Sequence, residues 1–202
     1  MRDLKQLVAY LVKNGYLKTN NIIKAFEKID RKDFVLPEYQ SETYDDYPLP
    51  IGFGQTISQP STVAFMIELL RPKKGDNILD VGSGSGWTTA LLAEISGGSG
   101  IVWGVELMPQ LAEFGRGNLK KYGFKNAEII LADGKLGLPA KAPFDKILVS
   151  AFAYDLPQYL VQQLKPGGTI VLPIGSSVWK IDKNKKGIIK QEFEGYAFVP
   201  LK

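Results

Sequence analysis

The chain has 202 residues, a formal net charge of +4 at pH 7, and neither histidine nor cysteine. Its length suits one domain with a single core, and the missing residue types exclude Ser-His-Asp and Cys-His catalysis, disulfide bonds, and zinc sites built from imidazole or thiolate. An enzyme of this composition has no side chain that titrates near neutrality unperturbed, which favours chemistry whose nucleophile is already ionised.

The N-terminal part of the chain predicts two amphipathic helices. The first is marked by apolar residues at helical spacing before Gly15, a residue type that often ends a helix: Leu4, Leu7, Val8 and Leu11. The second follows Thr19 or Asn20 and carries Ile22, Ile23, Ala25, Phe26 and Ile29. Charged residues interrupt the first segment, so it does not resemble a secretory signal, and no run of about 18 apolar residues predicts a membrane span. We therefore expect a cytoplasmic protein without membrane contact.

Residues 47–60 have the composition of neither a helix nor a central strand. They are rich in Gly and Pro, which disfavour both. Yet the stretch carries large apolar side chains that a solvated linker would not need: Tyr47, Leu49, Ile51, Phe53 and Ile57. We expect it to follow an irregular path and to pack against another part of the protein, with at least one of Ile51 and Phe53 in the core. A third helix is predicted near residues 60–70, with Pro60 in its first turn.

From residue 77 onward, short apolar runs alternate with segments of helical spacing. Predicted strands cover residues 77–82, 100–106, 127–132, 144–151 and 169–174, and predicted helices cover 87–95, 107–123 and 156–164, the last closed by a turn at 165–168. This alternation predicts an α/β fold with a doubly wound, Rossmann-like, mostly parallel sheet and helices on both faces. No helical segment separates residues 178–182 from 187–201, so these predict an antiparallel C-terminal hairpin.

We expect a single domain over residues 1–202. An N-terminal helical extension with the irregular stretch would occupy residues 1–75, and the sheet core residues 76–202. Residues 180–190 hold five Lys and one Asp, which equals the net charge of the whole chain. They fit a solvated hairpin turn over residues 182–187 better than a nucleic-acid surface, which needs a broad basic face. We expect no nucleic-acid partner.

The strongest local signal for function lies where the first core strand meets its helix, in Asp80-Val81-Gly82-Ser83-Gly84-Ser85-Gly86. Glycines there allow a tight turn and let backbone N–H groups approach a ligand at a helix N-terminus. A dinucleotide fingerprint, G-x-G-x-x-G, would need glycine at the position of Trp87, a residue to which we assign no role. The pattern instead resembles motif I of class I S-adenosylmethionine-dependent methyltransferases. That resemblance implies S-adenosylmethionine as cofactor, S-adenosylhomocysteine as its product, and cofactor-binding roles for Asp80, Gly82, Ser83, Gly84 and Gly86.

Acidic residues follow the next two strands, at the edge where a ligand would lie. Glu106 ends the second strand, where a carboxylate can accept hydrogen bonds from both ribose hydroxyls. Asp133-Gly134 ends the third, where an acid can accept from the adenine amino group. Either acid alone would equally well cap a helix. Three strand-end acids with a glycine-rich loop between them favour a nucleoside site.

Several segments, in order, resemble the protein-L-isoaspartate O-methyltransferase family. The family pattern is present as Tyr44, Asp46 and the run from Pro48 to Pro60, together with the glycine-rich loop. Further matching segments extend over nearly the whole chain: residues 31–35, 142–145, 163–168 and 173–175. The resemblance implies an enzyme that methylates the free carboxylate of L-isoaspartyl and, to some extent, D-aspartyl residues. Its partners would be damaged peptides and proteins, and we expect it to act as a monomer.

The resemblance also implies roles for individual residues. Ser58 is the active-site hydroxyl that contacts the substrate carboxylate, while Thr56 and Ile57 line the cofactor. We assign the other substrate-side positions to Ile51, Gln55, Ser150, Ala151 and Phe152. An alternative for Ser58 is that it caps the helix beginning near Pro60. No metal ion is expected at the site.

Phe152 departs from the small residue usual in the family at this point, and it could either narrow the substrate cleft or point into a helix. This departure keeps open a related class I methyltransferase acting on another carboxylate, small-molecule or nucleic-acid acceptor. A third hypothesis is a non-catalytic nucleotide-binding domain. Methylation of a carboxylate agrees with the composition, because a group with a pKa of about 4 is ionised at neutral pH and needs no general base.

Overall fold

The N-terminal part of the computed structural model, which describes residues 1–196 and 198, follows the predicted helices. Helices α1 (Leu4–Lys13) and α2 (Asn20–Lys28) lead to a two-stranded hairpin, β1 (Leu49–Gly52) and β2 (Gln55–Ile57), and then to helix α3 (Pro60–Leu70). Short 3-10 turns at Arg31–Phe34 and Pro37–Glu42 connect α2 to the hairpin. The aspartate before α1 accepts a hydrogen bond from the backbone N–H of Gln6 at 2.8 Å, which caps that helix.

The sheet core follows the predicted alternation of strands and helices. Its elements are β3 (Asn77–Val81), α4 (Trp87–Ser96), β4 (Ile101–Glu106), α5 (Pro109–Tyr122), β5 (Ala127–Leu131), β6 (Phe144–Val149), α6 (Gln158–Gln163), β7 (Leu164–Ile174), β8 (Ser177–Asn184) and β9 (Gly187–Glu194). In the described residues the strands lie in the order β5-β4-β3-β6-β7-β8-β9. Strands β3 to β7 run parallel, while β8 and β9 add an antiparallel edge. The predicted fold class is confirmed.

Two predicted details of the C-terminal half are wrong. Strand β7 begins at Leu164, because Phe144 pairs with Leu164 whereas Lys146 pairs with Thr169. Residues 165–168 are therefore a bulge within β7 and not a turn ahead of it. Helix α6 is correspondingly shorter than predicted and has Pro157 at its N-cap.

The C-terminal hairpin is present, with its turn between Asn184 and Gly187 as predicted. Strand β9 ends at Glu194. The predicted continuation to residue 201 falls partly on residues 197 and 199–201, which lie outside the described residues. No helix in the described part of the chain is long and apolar enough to cross a membrane.

The two faces of the sheet carry separate apolar cores. Alternate strand residues point to opposite faces, so Ile78 and Leu148 join the larger cluster while Leu79 and Ile147 join the smaller. The larger cluster packs α3, α4 and α5 against one face, with α1 and α2 lying on α3 and α4, and the smaller packs α6 against the other. Helices thus cover both faces as predicted, but most of them lie on one side.

The irregular stretch of the sequence is the β1–β2 hairpin and its exit. The reversal is made by Gly52, Phe53 and Gly54, whose φ angles are all positive at 92°, 55° and 71°. Ile51 is buried in the larger core, whereas the Phe53 side chain is 52% exposed. The stretch therefore packs against the protein as expected, and of the two residues singled out only Ile51 lies in the core.

The strand order determines where a ligand can bind. Strand β3 lies between β4 and β6. After β3 the chain adds β4 and β5 on one side of it, and then crosses to add β6 and β7 on its other side. The connections after β3 and β6 therefore diverge at the carboxyl edge of the sheet and leave a crevice there. The segments that follow β3, β4 and β6 all begin at this crevice.

Gly104 lies in β4, in a tightly packed region beneath the crevice. A Cβ atom added there would stand 2.8 Å from Ile129 Cγ1 and 3.1 Å from both Ser83 Cβ and Thr89 Oγ1. We expect Gly104→Ala to lower the free energy of unfolding by about 1–3 kcal/mol, because overpacking forces its neighbours to move. Urea unfolding measures this value.

Gly98→Ala is the matched control, since an added Cβ there meets no described atom within 4 Å. We expect it to change stability by no more than about 0.5 kcal/mol. Equal stability of Gly104→Ala and the unsubstituted protein would contradict the packing described here.

Candidate active site

A cavity opens at the carboxyl edge of the sheet, between the β1–β2 hairpin and the loop after β3. Most of the site residues predicted from the sequence line it: Ile51, Gln55, Thr56, Ile57, Ser58, Gly82, Ser83, Gly84, Glu106, Gly134, Ser150 and Ala151. The hairpin, the glycine-rich loop and the chain after β6 thus meet around one space, although they are distant in sequence.

Four predicted site residues do not belong to the described cavity wall: Asp80, Gly86, Asp133 and Phe152. Gly86 packs against α5, where an added Cβ would stand 3.2 Å from the carbonyl oxygen of Gly115. The Phe152 ring packs edge-to-face on Tyr154, with 5.2 Å between ring centroids. The Phe152 ring thus lies against Tyr154 and is not among the residues that line the described cavity.

The glycine-rich loop is held against β4 and lies directly under the hairpin. The backbone N–H groups of Gly82 and Ser83 both donate to the carbonyl oxygen of Val105, at 2.9 and 3.1 Å. Gly84 has a φ of 52°, and an added Cβ would stand 3.1 Å from Ile51 Cδ1. Glycine at this position lets the hairpin approach the loop and close the cavity.

Asp80 lies behind the glycine-rich loop and is fully buried. Its Oδ2 accepts hydrogen bonds from the hydroxyls of Thr88 and Thr89, at 2.7 and 2.6 Å. Its Oδ1 has no partner among the described residues. Burial raises the pKa of the Asp80 carboxyl to about 6, and the two threonine hydrogen bonds oppose that rise.

Glu106 and Asp133, the other strand-end acids, differ in what they do. The Glu106 carboxylate accepts from the backbone N–H of Gly84 and from that of Met108, both at 2.9 Å. It thereby joins the glycine-rich loop to the start of α5 while lining the cavity. The Asp133 carboxylate accepts from the backbone N–H of Lys135 at 2.9 Å and so caps a 3-10 turn. Its neighbour Gly134 lines the cavity.

Ser58 reaches the cavity at the end of the hairpin, just before α3. The N-cap residue of α3 is Gln59, and its side chain makes no capping hydrogen bond. The capping bond comes from Asp46, whose Oδ1 accepts from the backbone N–H of Ser61 at 2.8 Å. Because Asp46 caps α3, the hydroxyl of Ser58 is not needed for that role.

A buried arginine holds the segment that contains Ser58. We call residues 43–58 the strap. The Arg31 guanidinium donates to the carbonyl oxygens of Thr43 at 2.6 Å, Asp45 at 3.3 Å, Tyr47 at 3.0 Å and Ser58 at 3.2 Å. One side chain thus fixes both ends of the strap.

Arg31 is fully buried, and no described carboxylate forms a salt bridge with it. Burial lowers the pKa of its guanidinium to about 10, so it stays protonated at neutral pH. Carbonyl dipoles stabilise the charge, as does the face of the Trp87 ring, whose centroid lies 5.6 Å from the guanidinium carbon. Since Trp87 begins α4 and lines the cavity, Arg31 connects the strap to the helix that follows the glycine-rich loop.

Several cavity residues were not predicted from the sequence: Val63, Ser85, Trp87, Thr88, Val105, Leu107 and Met108. Leu107 and Met108 could have been inferred, because they directly follow Glu106 at a strand end. Val63 and Trp87 carry no such signal, since apolar residues in a helix are usually core. Arg31 lies in a segment that matches the family pattern, and nothing in the sequence indicates that its side chain is buried.

Structural comparison defines the class of protein to which this fold and site belong, the class I methyltransferases. A protein-L-isoaspartate O-methyltransferase from Plasmodium falciparum, solved in complex with S-adenosyl-L-homocysteine, matches with a TM-score of 0.88 at 28% identity, over 100% of this chain and 99% of that one. Another solved protein-L-isoaspartate O-methyltransferase matches with a TM-score of 0.89 at 27% identity, over 98% of this chain and 65% of that one.

The chain belongs to the protein-L-isoaspartate(D-aspartate) O-methyltransferase family, which it matches over residues 2–202. The protein-L-isoaspartate O-methyltransferase of Methanopyrus kandleri is 44% identical to it, over 99% of this chain and 91% of that protein. The enzyme of the same name from Pyrococcus horikoshii is also 44% identical, over 98% of this chain and 91% of that protein. The predicted family and the prediction of an enzyme are confirmed.

Replacing Arg31 by lysine tests the role of its fork of donors. A single ammonium group cannot reach four separate carbonyl oxygens. We expect Arg31→Lys to lower the free energy of unfolding by about 2–4 kcal/mol, because buried carbonyls lose a charged donor. Urea unfolding measures the loss. Arg2→Lys, at an exposed position, is the control and should have almost no effect. A loss below about 1 kcal/mol in Arg31→Lys would contradict the role described.

Asp80 should make stability depend on pH. The pKa of the Asp80 carboxyl is about 6 in the folded protein, against an ordinary value of 3.8 that applies to the unfolded chain. Between these two pH values the folded protein therefore binds a proton that the unfolded chain does not. The contribution of Asp80 to the free energy of unfolding therefore falls as pH rises through this window, by about 3 kcal/mol in all for a shift of about two units. In Asp80→Asn this contribution should be absent.

The measurement is urea unfolding of the protein and of Asp80→Asn, without cofactor, from about pH 4 to about pH 7. We expect the difference in stability between them to shift steadily in favour of Asp80→Asn as pH rises. A difference that stays constant across this range would show that the Asp80 carboxyl keeps its ordinary pKa.

Proposed function

We propose that Ser58 holds the carboxylate of an L-isoaspartyl residue, or of a D-aspartyl residue, while a methyl group is transferred to it from S-adenosylmethionine. The observation that carries this proposal is that the end of the strap and the glycine-rich loop line one cavity. The strap supplies the Ser58 hydroxyl, and the loop supplies backbone donors. The family supports the reaction, and the enzyme's substrates are proteins and peptides.

The cofactor end of the cavity fits a nucleoside with a polar tail. Ser83 lines it with a buried hydroxyl that has no partner among the described residues, which suits a polar ligand group. Glu106 still has lone pairs for ribose hydroxyls beyond its two backbone bonds. The rest of this end is lined by Gly82, Gly84, Gly134, Thr56 and Ile57. When bound, S-adenosylmethionine supplies a methyl group on a positively charged sulfur.

Asp80 and Gly86 support this end from outside the cavity wall. The buried Asp80 carboxylate holds the first turn of α4 through Thr88, which lines the cavity. Gly86 lets α5 approach the loop. Asp133 contributes through the turn that it caps, which places Gly134 at the wall.

The substrate end must orient a carboxylate that is already ionised. A carboxyl group with a pKa of about 4 is almost fully deprotonated at neutral pH, so the site needs no general base. A hydroxyl donor such as Ser58 orients one oxygen while the other stays free to react. The remaining task is to hold the oxygen near the methyl carbon and exclude water, and Ile51, Gln55, Ser150 and Ala151 form the walls for this.

The product explains why such an enzyme repairs protein. Methoxide can leave from the ester, whereas oxide cannot leave from a carboxylate. The next backbone nitrogen therefore attacks the ester carbonyl, the C–OCH3 bond breaks, methoxide takes the N–H proton and leaves as methanol, and a succinimide ring closes. Hydrolysis of the ring gives aspartyl in part and isoaspartyl in part. Repeated methylation therefore converts isoaspartyl to aspartyl residues.

We further propose a single domain that acts as a cytoplasmic monomer and does not bind nucleic acid. One chain supplies every described wall of the cavity, which supports activity as a monomer. The basic stretch is partly used within the fold: Lys183 Nζ donates to the carbonyl oxygens of Val161 and Leu164, and Lys180 pairs with Asp182. The departure of Phe152 from the family pattern was the reason to consider a methyl acceptor other than an isoaspartyl residue. Because Phe152 lies outside the described cavity wall, it gives that alternative no support.

Replacing Ser58 tests the proposed substrate contact. We expect Ser58→Ala to lower kcat for methyl transfer to an isoaspartyl peptide by about 10- to 100-fold, the value of a hydrogen bond to a charged group. Binding of S-adenosylhomocysteine, measured by calorimetry, should change little. Transfer of labelled methyl groups from S-adenosylmethionine measures the activity.

Ser61→Ala is the matched control, because Ser61 follows closely in sequence but lies in α3 outside the described cavity wall. The same peptide with normal aspartate should not be methylated. Full activity of Ser58→Ala would remove Ser58 from the mechanism, and cofactor binding without transfer to the isoaspartyl peptide would sink the proposed reaction.

A further inference from the structure

Three aromatic side chains near the cavity contribute to neither apolar core. Phe53, Phe152 and Tyr154 are absent from both described core clusters, and so their burial does not explain why they are aromatic. Phe53 is 52% exposed and Tyr154 is 85% exposed. Each lies within a few residues of a segment that lines the cavity. Exposed aromatic side chains beside a ligand site indicate a contact surface.

Phe152 and Tyr154 are held in a fixed position after β6. Their rings pack edge-to-face, with centroids 5.2 Å apart. The backbone is anchored before Phe152 and between the two aromatic residues, because the N–H of Ser150 donates to the Val81 carbonyl oxygen at 2.9 Å and that of Ala153 donates to the Pro173 carbonyl oxygen at 3.0 Å. The pair therefore continues rigidly from the cavity wall formed by Ser150 and Ala151.

Phe53 stands at the tip of the hairpin in a left-handed conformation. Its φ of 55° is unfavourable for a residue with a bulky side chain, by about 1–2 kcal/mol. Glycine or asparagine would fit this position at less cost and would expose less apolar surface. Residues on both sides of the tip, Ile51 and Gln55, line the cavity. A strained and exposed aromatic side chain in this place suits contact with a ligand.

We propose that Phe53, Phe152 and Tyr154 bind apolar side chains that flank the isoaspartyl residue of the substrate. The inference rests on the proposed function, since it requires the isoaspartyl carboxylate at Ser58. A polypeptide in that position leaves the cavity between the hairpin and the chain after β6. Neighbouring residues of an extended peptide are spaced by about 3.4 Å, so those next to the isoaspartyl residue pass the rim of the cavity.

This surface gives the enzyme a class of preferred substrates. Apolar segments are normally buried in folded proteins, so isoaspartyl residues between apolar neighbours become accessible when a protein unfolds. The aromatic surface would therefore direct methylation toward unfolded chains. Peptides with polar neighbours would still be methylated, because the carboxylate and cofactor contacts do not involve these three side chains.

The experiment compares two isoaspartyl peptides that differ only in their flanking residues, leucine in one and serine in the other. We expect a higher kcat/KM for the leucine peptide with the unsubstituted enzyme. Tyr154→Ser, and separately Phe53→Asn, should reduce this preference by about three- to tenfold, the value of one aromatic contact, mainly through KM. The kcat/KM for the serine peptide should stay the same. Asparagine is chosen at position 53 because it tolerates a positive φ.

Tyr159→Ser is the matched control, because Tyr159 is 62% exposed but lies on α6, away from the described cavity wall. It should leave the preference unchanged. The inference is overturned if the unsubstituted enzyme treats both peptides alike, or if the variants slow both equally. It is also overturned if sedimentation shows a dimer that Tyr154→Ser dissociates, since the surface would then bind a second copy. Failure to methylate either peptide would instead refute the proposed function.

Discussion

The buried guanidinium of Arg31 is the interaction on which the active site depends. It donates to the carbonyl oxygens of Thr43 and Ser58, at the two ends of the strap, while its charge lies near the ring of Trp87. The strap has little regular structure of its own beyond a short hairpin, so its path must be imposed from outside. A planar fork of five N–H donors can satisfy four carbonyl oxygens at once, more than the three donors of a lysine ammonium group could. Through this residue, the N-terminal extension helps to fix the position of Ser58 relative to the sheet.

The same arrangement keeps positive charge away from the reacting carboxylate. The donors of Arg31 are directed to backbone carbonyls, and Arg31 does not belong to the described wall of the cavity. A hydroxyl and backbone N–H groups are left to orient the substrate. Neutral donors bind a carboxylate less tightly than a guanidinium or ammonium does, so its lone pairs stay more available for attack. A chain without histidine or cysteine can carry out this reaction, because the nucleophile arrives already ionised.

Predictability from the sequence differed between parts of the molecule. The strands and helices of the core were predicted closely, since apolar periodicity follows from which face is buried. The bulge in β7 was missed, because Lys165-Pro166-Gly167-Gly168 is typical of a turn and only pairing with β6 keeps it in the strand. Asp133 and Glu106 look alike in the sequence, and each accepts from the backbone N–H two residues later, yet only Glu106 belongs to the described cavity wall. That difference arises because folding also brings the backbone N–H of Gly84, in the glycine-rich loop, to the Glu106 carboxylate.

The sequence by itself determined the order of elements, the glycine-rich loop, the strand-end acids and the family, because these depend on local spacing along the chain. Only the tertiary structure decided that residues 47–60 form a hairpin over that loop, that Asp46 and not Ser58 caps α3, and that Arg31 holds the strap. It also decided that the Phe152 ring packs on Tyr154, and that Ser150 and Ala151 line the cavity while Phe152 does not. These outcomes depend on contacts between residues far apart in sequence, whose distances are set only when the strap packs against the sheet.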